Sequence, residues 1–337
     1  MTIPCVTTDV DAVRTNERPT PNITVHDSEA DARELRQVQA LIKERLVGLD
    51  HGPATEAASY QTSTSGSLLR ARLALASGHA FQCSNQYRIA AAAACELIHN
   101  ASLVHDDLSD GDEYRRGKPS VWKQFGSEVA LCTGDLLLCT AFGVAADLTD
   151  PQESSSLVRQ LTTMTSRTII GQSREVASSQ QRAHPDLRDY LYTTAAKTVP
   201  LIELPLMTGA VAAGADTGVK SRVERLANAV GLAYQIIDDL DDLVNGVEGL
   251  HPFHAWHHHC PSGQEGAGTR IQRATRHALA SLNRARRTLG DLENRVPVSL
   301  APRLQPLLLQ LEQRALAHRQ YSPKEEGPAS HDAAPQQ

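Results

Sequence analysis

The sequence predicts an all-α protein built as one helical domain. Apolar residues recur at helical spacing through most of the 337 residues, while the alternation typical of strands is nearly absent. Alanine, leucine and glutamine dominate the periodic segments and favour helix. Hydrophobic residues make up 41% of the chain, enough for a large core. Because no shift in composition divides this core, we expect a single bundle of helices with its site at one mouth.

The predicted elements follow one another with short interruptions. Residues 1–26 are polar and contain several prolines, so we expect a disordered lead. Asp27 or Ser28 is placed to cap a first helix, which shows helical spacing from Leu35 to Leu46. A Gly/Ser/Thr-rich stretch from Gly52 to Gly66 interrupts the pattern. Helices are then predicted over about 67–79, 86–108, 120–147, 153–180, 187–214, 219–245, 270–291 and 298–318. The domain thus spans 27–320, and the polar tail 321–337 is expected to be disordered.

Two acidic clusters carry the strongest functional signal. Residues 106–110 and 238–242 each read D-D-x-x-D, and each follows an apolar run. Residues four apart share one face of a helix, and carboxylates on apolar helices need a cation nearby. Structural acidic caps are the alternative. Hard oxygen ligands suit Mg²⁺ bound together with a phosphate group. The candidate ligands are Asp106, Asp107, Asp110, Asp238, Asp239 and Asp242.

Basic residues follow the first cluster at a short distance. Arg115 and Arg116 precede Gly117, Lys118 and Pro119. Guanidinium groups donate two parallel hydrogen bonds to phosphate oxygens. The combination predicts a site for a metal-bound diphosphate.

These motifs resemble those of the trans-isoprenyl diphosphate synthases, or polyprenyl synthetases, from about Ser65 to about Asp242. Residues 106–119 match D-D-x-x-D-x4-R-R-G-x-P throughout. Residues 234–242 match F-Q-x-x-D-D-x-x-D with Tyr in place of Phe. The family's G-Q and K-T pairs correspond to Gly171-Gln172 and Lys197-Thr198.

The resemblance implies an isoprenoid-synthase-type bundle around a central apolar cavity, an allylic diphosphate substrate and three Mg²⁺ ions per site. It also implies a homodimer. Arg115 and Lys197 would bind the diphosphate, while Thr198 and Gln235 would lie near the breaking C–O bond. Arg70, His99 and Arg116 would bind the second substrate, isopentenyl diphosphate. The catalytic candidates are therefore Lys197, Thr198 and Gln235, and the substrate-binding candidates are Arg70, His99, Arg115 and Arg116.

Two departures from the family pattern bear on the reaction. Ser67 stands where the segment G-G-K-x-x-R carries a lysine. No lysine occurs between Asp242 and Gln320, where the family has a lysine-rich loop. That region instead contains a histidine- and cysteine-rich segment, for which a mobile lid and a zinc site are both open by ligand type. Its members are His254, His257, His258, His259 and Cys260.

Three functions follow from this pattern. The first is an elongating prenyltransferase that joins an allylic diphosphate to isopentenyl diphosphate. Small residues at Ala101 and Ser102, just before the first cluster, then predict a geranylgeranyl or longer product. The second is a terpene cyclase, which needs no isopentenyl diphosphate. The third is a non-catalytic subunit of a heteromeric synthase, against which the intact aspartates count.

Composition limits which binding partners and which cellular compartment we expect. A net charge of −6 argues against nucleic acid. The six dispersed cysteines fit reduced thiols in a cytoplasm. The polar stretch from Met1 to His26 does not resemble a secretory signal. No run of about 18 apolar residues is evident, so we expect no transmembrane segment.

Overall fold

The computed structural model describes residues 28–63, 66–180, 187–244 and 267–319. Within these residues the chain forms twelve helices and one short hairpin, which confirms the all-α class. The strands β1 (Tyr114–Arg115) and β2 (Lys118–Pro119) pair antiparallel between α4 and α5. The helices are α1 (Glu29–Val47), α2 (Pro53–Ser63), α3 (Leu69–Ala80), α4 (Asn85–Asp110), α5 (Val121–Phe125), α6 (Ser127–Ala146), α7 (Pro151–Gln180), α8 (Leu187–Lys197), α9 (Pro200–Ala212), α10 (Thr217–Val244), α11 (Ala267–Glu293) and α12 (Ala301–His318).

Three predicted boundaries were wrong. The stretch Gly52–Gly66 is not a simple interruption, because it contains α2. This helix begins at Pro53, and proline is favoured at the first position of a helix. The helix predicted over 120–147 is divided at Gly126, whose φ of 93° a helix does not tolerate. The helix predicted over 187–214 is divided before Pro200, which lacks the backbone N–H needed to continue the helical hydrogen bonds, although Val199 itself keeps helical angles.

Three predicted segments lie outside the described residues. They are the lead 1–26, the histidine-rich segment 254–260 and the tail 321–337. Ser28 does cap α1, since its hydroxyl accepts a hydrogen bond from the N–H of Asp31 at 3.2 Å. The remaining predicted helices match observed ones with small differences at their ends.

Two apolar clusters form the core and meet where α3 and α4 pack together. One lies among α3, α9, α10, α11 and α12, and the other among α1, α2, α4, α6 and α7. At the crossing of α3 and α9, a Cβ on Gly209 would collide with the backbone of Ser77. The Ser77 hydroxyl also donates to the carbonyl of Leu206 at 2.6 Å. Close helix packing of this kind fixes the relative positions of the helices that carry the site.

Helix α1 is fastened to the bundle by two carboxylates. Glu34 accepts a hydrogen bond from Arg88 and contacts the ring of His79, each at 2.6 Å. Asp31 accepts from Arg303 of α12 at 3.0 Å. The three residues Asp31, Glu34 and His79 lie close enough for a metal ion. Because two arginines already neutralise the carboxylates, we assign this cluster to the packing of α1.

Helix α6 is unusually apolar. Among the described helices it alone has the length and composition of a membrane span, and 39% of its most apolar window is buried. Core helices of soluble proteins often meet the same criterion, so the finding is weak evidence for a membrane. Because Glu128 and Asp135 interrupt its apolar sequence, α6 does not contradict the expectation that no segment spans a membrane, which stays a prediction.

Candidate active site

The first aspartate cluster lies in the last two turns of α4. This helix begins behind Ser84, whose hydroxyl accepts from the N–H of Tyr87 at 3.1 Å. It ends at Gly111, whose φ of 73° places it in the left-handed region and whose N–H bonds to the carbonyl of Asp107. The carboxyl end of a helix carries partial negative charge. Aspartates are therefore unfavourable here unless a cation binds beside them.

Asp107 is fully buried at the centre of this cluster. Arg115 of β1 donates from Nε to Asp107 Oδ1 at 2.6 Å and reaches Asp112 at 3.5 Å. The second oxygen, Asp107 Oδ2, is buried and has no hydrogen-bond partner. Burial raises the pKa of Asp107 to about 6, although Arg115 opposes this shift. An orphaned carboxylate oxygen of this kind fits a site that receives a cation or a donor from a ligand.

Asp106 faces a second cation. Lys197, at the end of α8, places its Nζ 3.8 Å from Asp106 Oδ1 and 2.6 Å from Glu175 Oε2. Burial raises the pKa of Asp106, Lys197 opposes the shift, and the negative charges of Asp110 and Glu175 add to it. The lysine thus belongs to the first cluster, and Glu175 of α7 holds it there.

Glycines set the position of the predicted K-T pair. A Cβ on Gly171 of α7 would lie 2.5 Å from the carbonyl carbon of Ala196, so α7 approaches the end of α8 closely. A Cβ on Gly231 of α10 would lie 3.0 Å from the Val199 side chain. Both helices therefore press on the junction of α8 and α9. The predicted G-Q and K-T segments lie together in the fold.

The second cluster is reached through Thr198. Its hydroxyl donates to Gln235 Oε1 at 2.9 Å, and Gln235 Nε2 donates to Asp239 Oδ1 at 2.9 Å. The Tyr190 hydroxyl donates to the other oxygen of Asp239 at 2.5 Å. Lys197 therefore contacts the first aspartate cluster, and its neighbour Thr198 is linked to the second cluster through Gln235. This arrangement brings the carboxyl-terminal parts of α4 and α10 to one region of the bundle.

Asp238 and Asp241 are paired with side chains of α12. Arg314 donates from Nη2 to Asp238 Oδ1 at 2.7 Å and from Nε to Asp241 Oδ2 at 3.1 Å. His318 contacts the other oxygen of Asp241. Burial raises the pKa of Asp238 to about 7 despite Arg314. Burial would also raise the pKa of Asp241, but hydrogen bonds from His318 and Arg314 outweigh it and lower that pKa.

The hairpin after α4 aims the arginine pair in two directions. Its turn residues Arg116 and Gly117 both have positive φ, 54° and 72°, as in the tight turns that join antiparallel strands. Arg115 lies on the strand and bonds to Asp107. Arg116 packs against Gly66, where a Cβ would collide with its guanidinium group. One arginine therefore serves the first cluster and the other reaches the segment before α3.

That segment borders the predicted isopentenyl diphosphate site. The guanidinium carbon of Arg70 lies 5.5 Å from the ring centroid of Tyr234 on α10. Burial lowers the pKa of His99 well below its usual value, and the charges of Arg70 and Arg116 lower it further. Burial raises the pKa of Glu96, which the same two arginines oppose. The structure thus brings Arg70, His99 and Arg116 together.

Ser67, in the family's lysine position, has an arginine beside it. Arg72 donates from Nε to the Ser67 carbonyl oxygen at 2.7 Å. Burial lowers the pKa of Arg72, and the charge of Glu96 opposes that shift. The guanidinium group of Arg72 therefore lies close to the backbone of Ser67, where the family pattern has a lysine.

Several residues that contact the clusters were not predicted from the sequence. Glu175 lies three residues after Gln172 on the same helix, and that spacing could have indicated it. The other missed residues are distant in sequence from the motif residues they contact and carry no motif of their own. They are Tyr190, Arg314 and His318.

The all-α bundle, with two D-D-x-x-D clusters near the carboxyl ends of α4 and α10, defines a protein of the isoprenoid synthase type. The family described as polyprenyl synthetase matches residues 53–251, more than half of the chain. The chain belongs to this family, as its motifs led us to expect.

Known relatives agree with this assignment. Geranylgeranyl diphosphate synthase of Mycobacterium tuberculosis is 36% identical over 182 residues, 54% of this chain and 52% of that protein. The chain thus spans about half the length of this relative. Farnesyl diphosphate synthase of Escherichia coli is 31% identical over 250 residues, which cover 71% of this chain and 79% of that protein. The solved geranyltranstransferase of Thermotoga maritima superimposes with a TM-score of 0.71 at 24% identity, over 86% of this chain and 100% of that one, and supports the fold.

Proposed function

We propose that the protein is a Mg²⁺-dependent trans-prenyltransferase that condenses an allylic diphosphate with isopentenyl diphosphate. The product is a geranylgeranyl or longer prenyl diphosphate. The observation that carries this proposal is that Lys197 contacts the first aspartate cluster at Asp106 while Thr198 is linked through Gln235 to Asp239 of the second. The reactions named for the Mycobacterium and Escherichia relatives belong to the same class.

The aspartates fit a divalent cation by their chemistry. Both clusters offer carboxylate oxygens, the ligands that Mg²⁺ prefers, and Asp107 has a buried oxygen without a partner. When bound, Mg²⁺ would supply the Lewis acidity that stabilises a diphosphate leaving group. We propose three ions per site, held by Asp106, Asp107, Asp110, Asp238, Asp239 and Asp242.

The surrounding side chains would bind the diphosphate and orient the reacting carbon. Lys197 and Arg115 lie against the first cluster and provide fixed positive charge for the phosphate oxygens. Thr198 and Gln235 would lie near the breaking C–O bond, where their oxygens stabilise an allylic cation. The hydrogen bonds from Thr198 to Gln235 and from Gln235 to Asp239 fix the Gln235 amide. An apolar cavity would keep water from the cation.

The residues proposed to bind a second diphosphate favour elongation over cyclisation. Arg70, His99 and Arg116 lie in one region, and a cyclase would have no second diphosphate for them to bind. The lowered pKa of His99 keeps its ring neutral, so it would donate a hydrogen bond to a phosphate oxygen without a full charge. Ser67, which replaces the family's lysine, is the observation that favours terpene cyclisation as the second candidate.

We also propose a homodimer in the cytoplasm. Helix α6 exposes Leu131, 53% accessible, together with Cys132 and Cys139. We propose that these side chains, which lie within one turn of the exposed carboxylate of Asp135, contact a second copy of the chain. The four cysteines in the described residues are unpaired, which agrees with a reducing compartment.

The two catalytic candidates are separated by a product assay. The protein is incubated with geranylgeranyl diphosphate or farnesyl diphosphate and Mg²⁺, with and without isopentenyl diphosphate, and the products are identified by mass. Elongation gives a longer prenyl diphosphate only when isopentenyl diphosphate is present. Hydrocarbon formed without isopentenyl diphosphate would instead establish a cyclase, and no turnover of any substrate would reject both.

Asp106→Asn tests the first cluster in the same assay. The substitution keeps the size of the side chain and removes the charge that faces Lys197, so we expect turnover to fall at least about a hundredfold. Asp147→Asn is the matched control, because Asp147 is an exposed carboxylate that pairs with Arg45 away from the site. Equal turnover in the folded Asp106→Asn protein and the control would reject the assignment of Asp106.

A further inference from the structure

Two side chains of α12 face two side chains of α10 at the second aspartate cluster. Arg314 and His318 lie four residues apart and share a face of α12. Asp238 and Asp241 lie three apart and share a face of α10. Arg314 bonds to both carboxylates, and His318 contacts Asp241. Asp241 is not part of the D-D-x-x-D pattern, yet it holds the guanidinium group against Asp238, which is.

This ion pair is largely removed from water. The Arg314 side chain is 15% exposed and that of Asp238 is 24% exposed. Arg314 Nη1 is buried and has no hydrogen-bond partner. A buried carboxylate left without a cation is strongly unfavourable, and an ion pair with a neighbouring cation stabilises the charged form of Asp238. In the described structure that cation is Arg314.

Arg314 and a divalent cation would need the same carboxylate. Asp238 Oδ1 accepts from Arg314 at 2.7 Å, so a metal ion ligated by Asp238 would compete with Arg314 for the same carboxylate group. A guanidinium group and a divalent cation near one carboxylate also repel each other.

We propose that Arg314 is a built-in counter-ion of the second aspartate cluster, which a divalent cation must displace from Asp238. Asp241 and His318 hold Arg314 in place. The substrate-free protein therefore binds metal at this cluster more weakly than its aspartates alone would. The inference rests on the proposed function only in treating the two clusters as metal sites.

Direct metal binding tests the proposal without any reaction. Mn²⁺ is titrated into the full-length protein without substrate, and binding is followed by electron paramagnetic resonance and calorimetry. Arg314→Met keeps most of the aliphatic stem but removes the charge, so we expect roughly tenfold tighter binding at one class of sites. Arg314→Lys keeps the charge and should stay close to the wild-type protein. Arg286→Met is the matched control, because it removes an arginine that pairs with Glu312 of α12 but does not contact the aspartate cluster. Its Mn²⁺ affinity should stay at the wild-type value.

A merely structural role gives a different result. If Arg314 only fastens α12 to α10, Arg314→Met lowers the melting temperature and leaves Mn²⁺ affinity unchanged, which would overturn the proposal. Adding Asp238→Asn to Arg314→Met should remove the gain in affinity. Arg314→Gln, which retains amide donors, carries the same test if Arg314→Met does not fold. Absence of Mn²⁺ binding in every protein would reject the metal clusters themselves, and thus the proposed function as well.

Discussion

Single side chains decide how much positive charge the second diphosphate would meet. Three basic or neutral donors, Arg70, His99 and Arg116, remain from the family pattern, and Ser67 removes a fourth. Arg72 donates to the Ser67 carbonyl, so a guanidinium group lies beside the position that lacks a lysine. That hydrogen bond is to backbone, and the charge of Glu96 acts on Arg72. We therefore expect Ser67 to weaken isopentenyl diphosphate binding without abolishing it.

Ser67→Lys should strengthen that binding. A lysine here adds a charge-assisted contact to the diphosphate, so the KM for isopentenyl diphosphate should fall about tenfold. The KM for the allylic substrate should change little, because Lys197 and Arg115 lie at the aspartate clusters instead. Steady-state kinetics with each substrate varied in turn provide the measurement.

Ser67→Met is the matched control for that experiment. It adds an unbranched side chain of similar length but no charge, so its KM for isopentenyl diphosphate should stay near the wild-type value. A fall in KM for both variants would assign the effect to packing. A KM unchanged by lysine would show that position 67 does not face the second diphosphate.

At the scale of one element, α4 carries most of the proposed site. His99 lies about two turns before the first cluster, and Ala101 and Ser102 lie between them. Ala101 is completely buried in the core, whereas Ser102 is partly exposed and donates to the His99 carbonyl at 2.8 Å. A prenyl chain held at the clusters would run along α4 towards its amino end. A large residue at Ala101 would overpack the core. Ser102 is partly exposed and is therefore the better position for a larger side chain.

Ser102→Phe should shorten the product. A phenyl ring on the partly exposed side of α4 would fill space that the growing prenyl chain needs, and elongation would stop at least one isoprene unit earlier. Ser102→Ala is the control, because it removes the hydroxyl without adding volume. Product masses from reactions with isopentenyl diphosphate in excess provide the readout. An unchanged product distribution in Ser102→Phe would place the floor of the cavity on another helix.

For the whole molecule, the sequence predicts what is local and misses what depends on helix packing. The aspartate clusters and the arginine pair could be predicted because each is a short pattern with its own chemistry. Arg314 and Asp238 are 76 residues apart, and Tyr190 and Asp239 are 49 apart. These contacts form only when α12 and α8 pack on α10, so no local sequence pattern predicts them. Helix α2 was missed because small polar residues hide its helical spacing.

The oligomeric state is also a property of the whole molecule. Helix α6 has two charged residues among twenty, and it leaves Leu131 and two cysteines exposed although it packs on α4 with its other side. If α6 forms the interface between two copies, Leu131→Glu would bury a second carboxylate one turn before Asp135 and should convert the dimer to a monomer. Light scattering coupled to size exclusion, in buffer without detergent, measures the mass. Leu309→Glu on α12 is the matched control, since Leu309 is 52% exposed on a different face and its substitution should leave the dimer intact. A wild-type monomer, or a Leu131→Glu protein that remains dimeric, would exclude α6 as the interface.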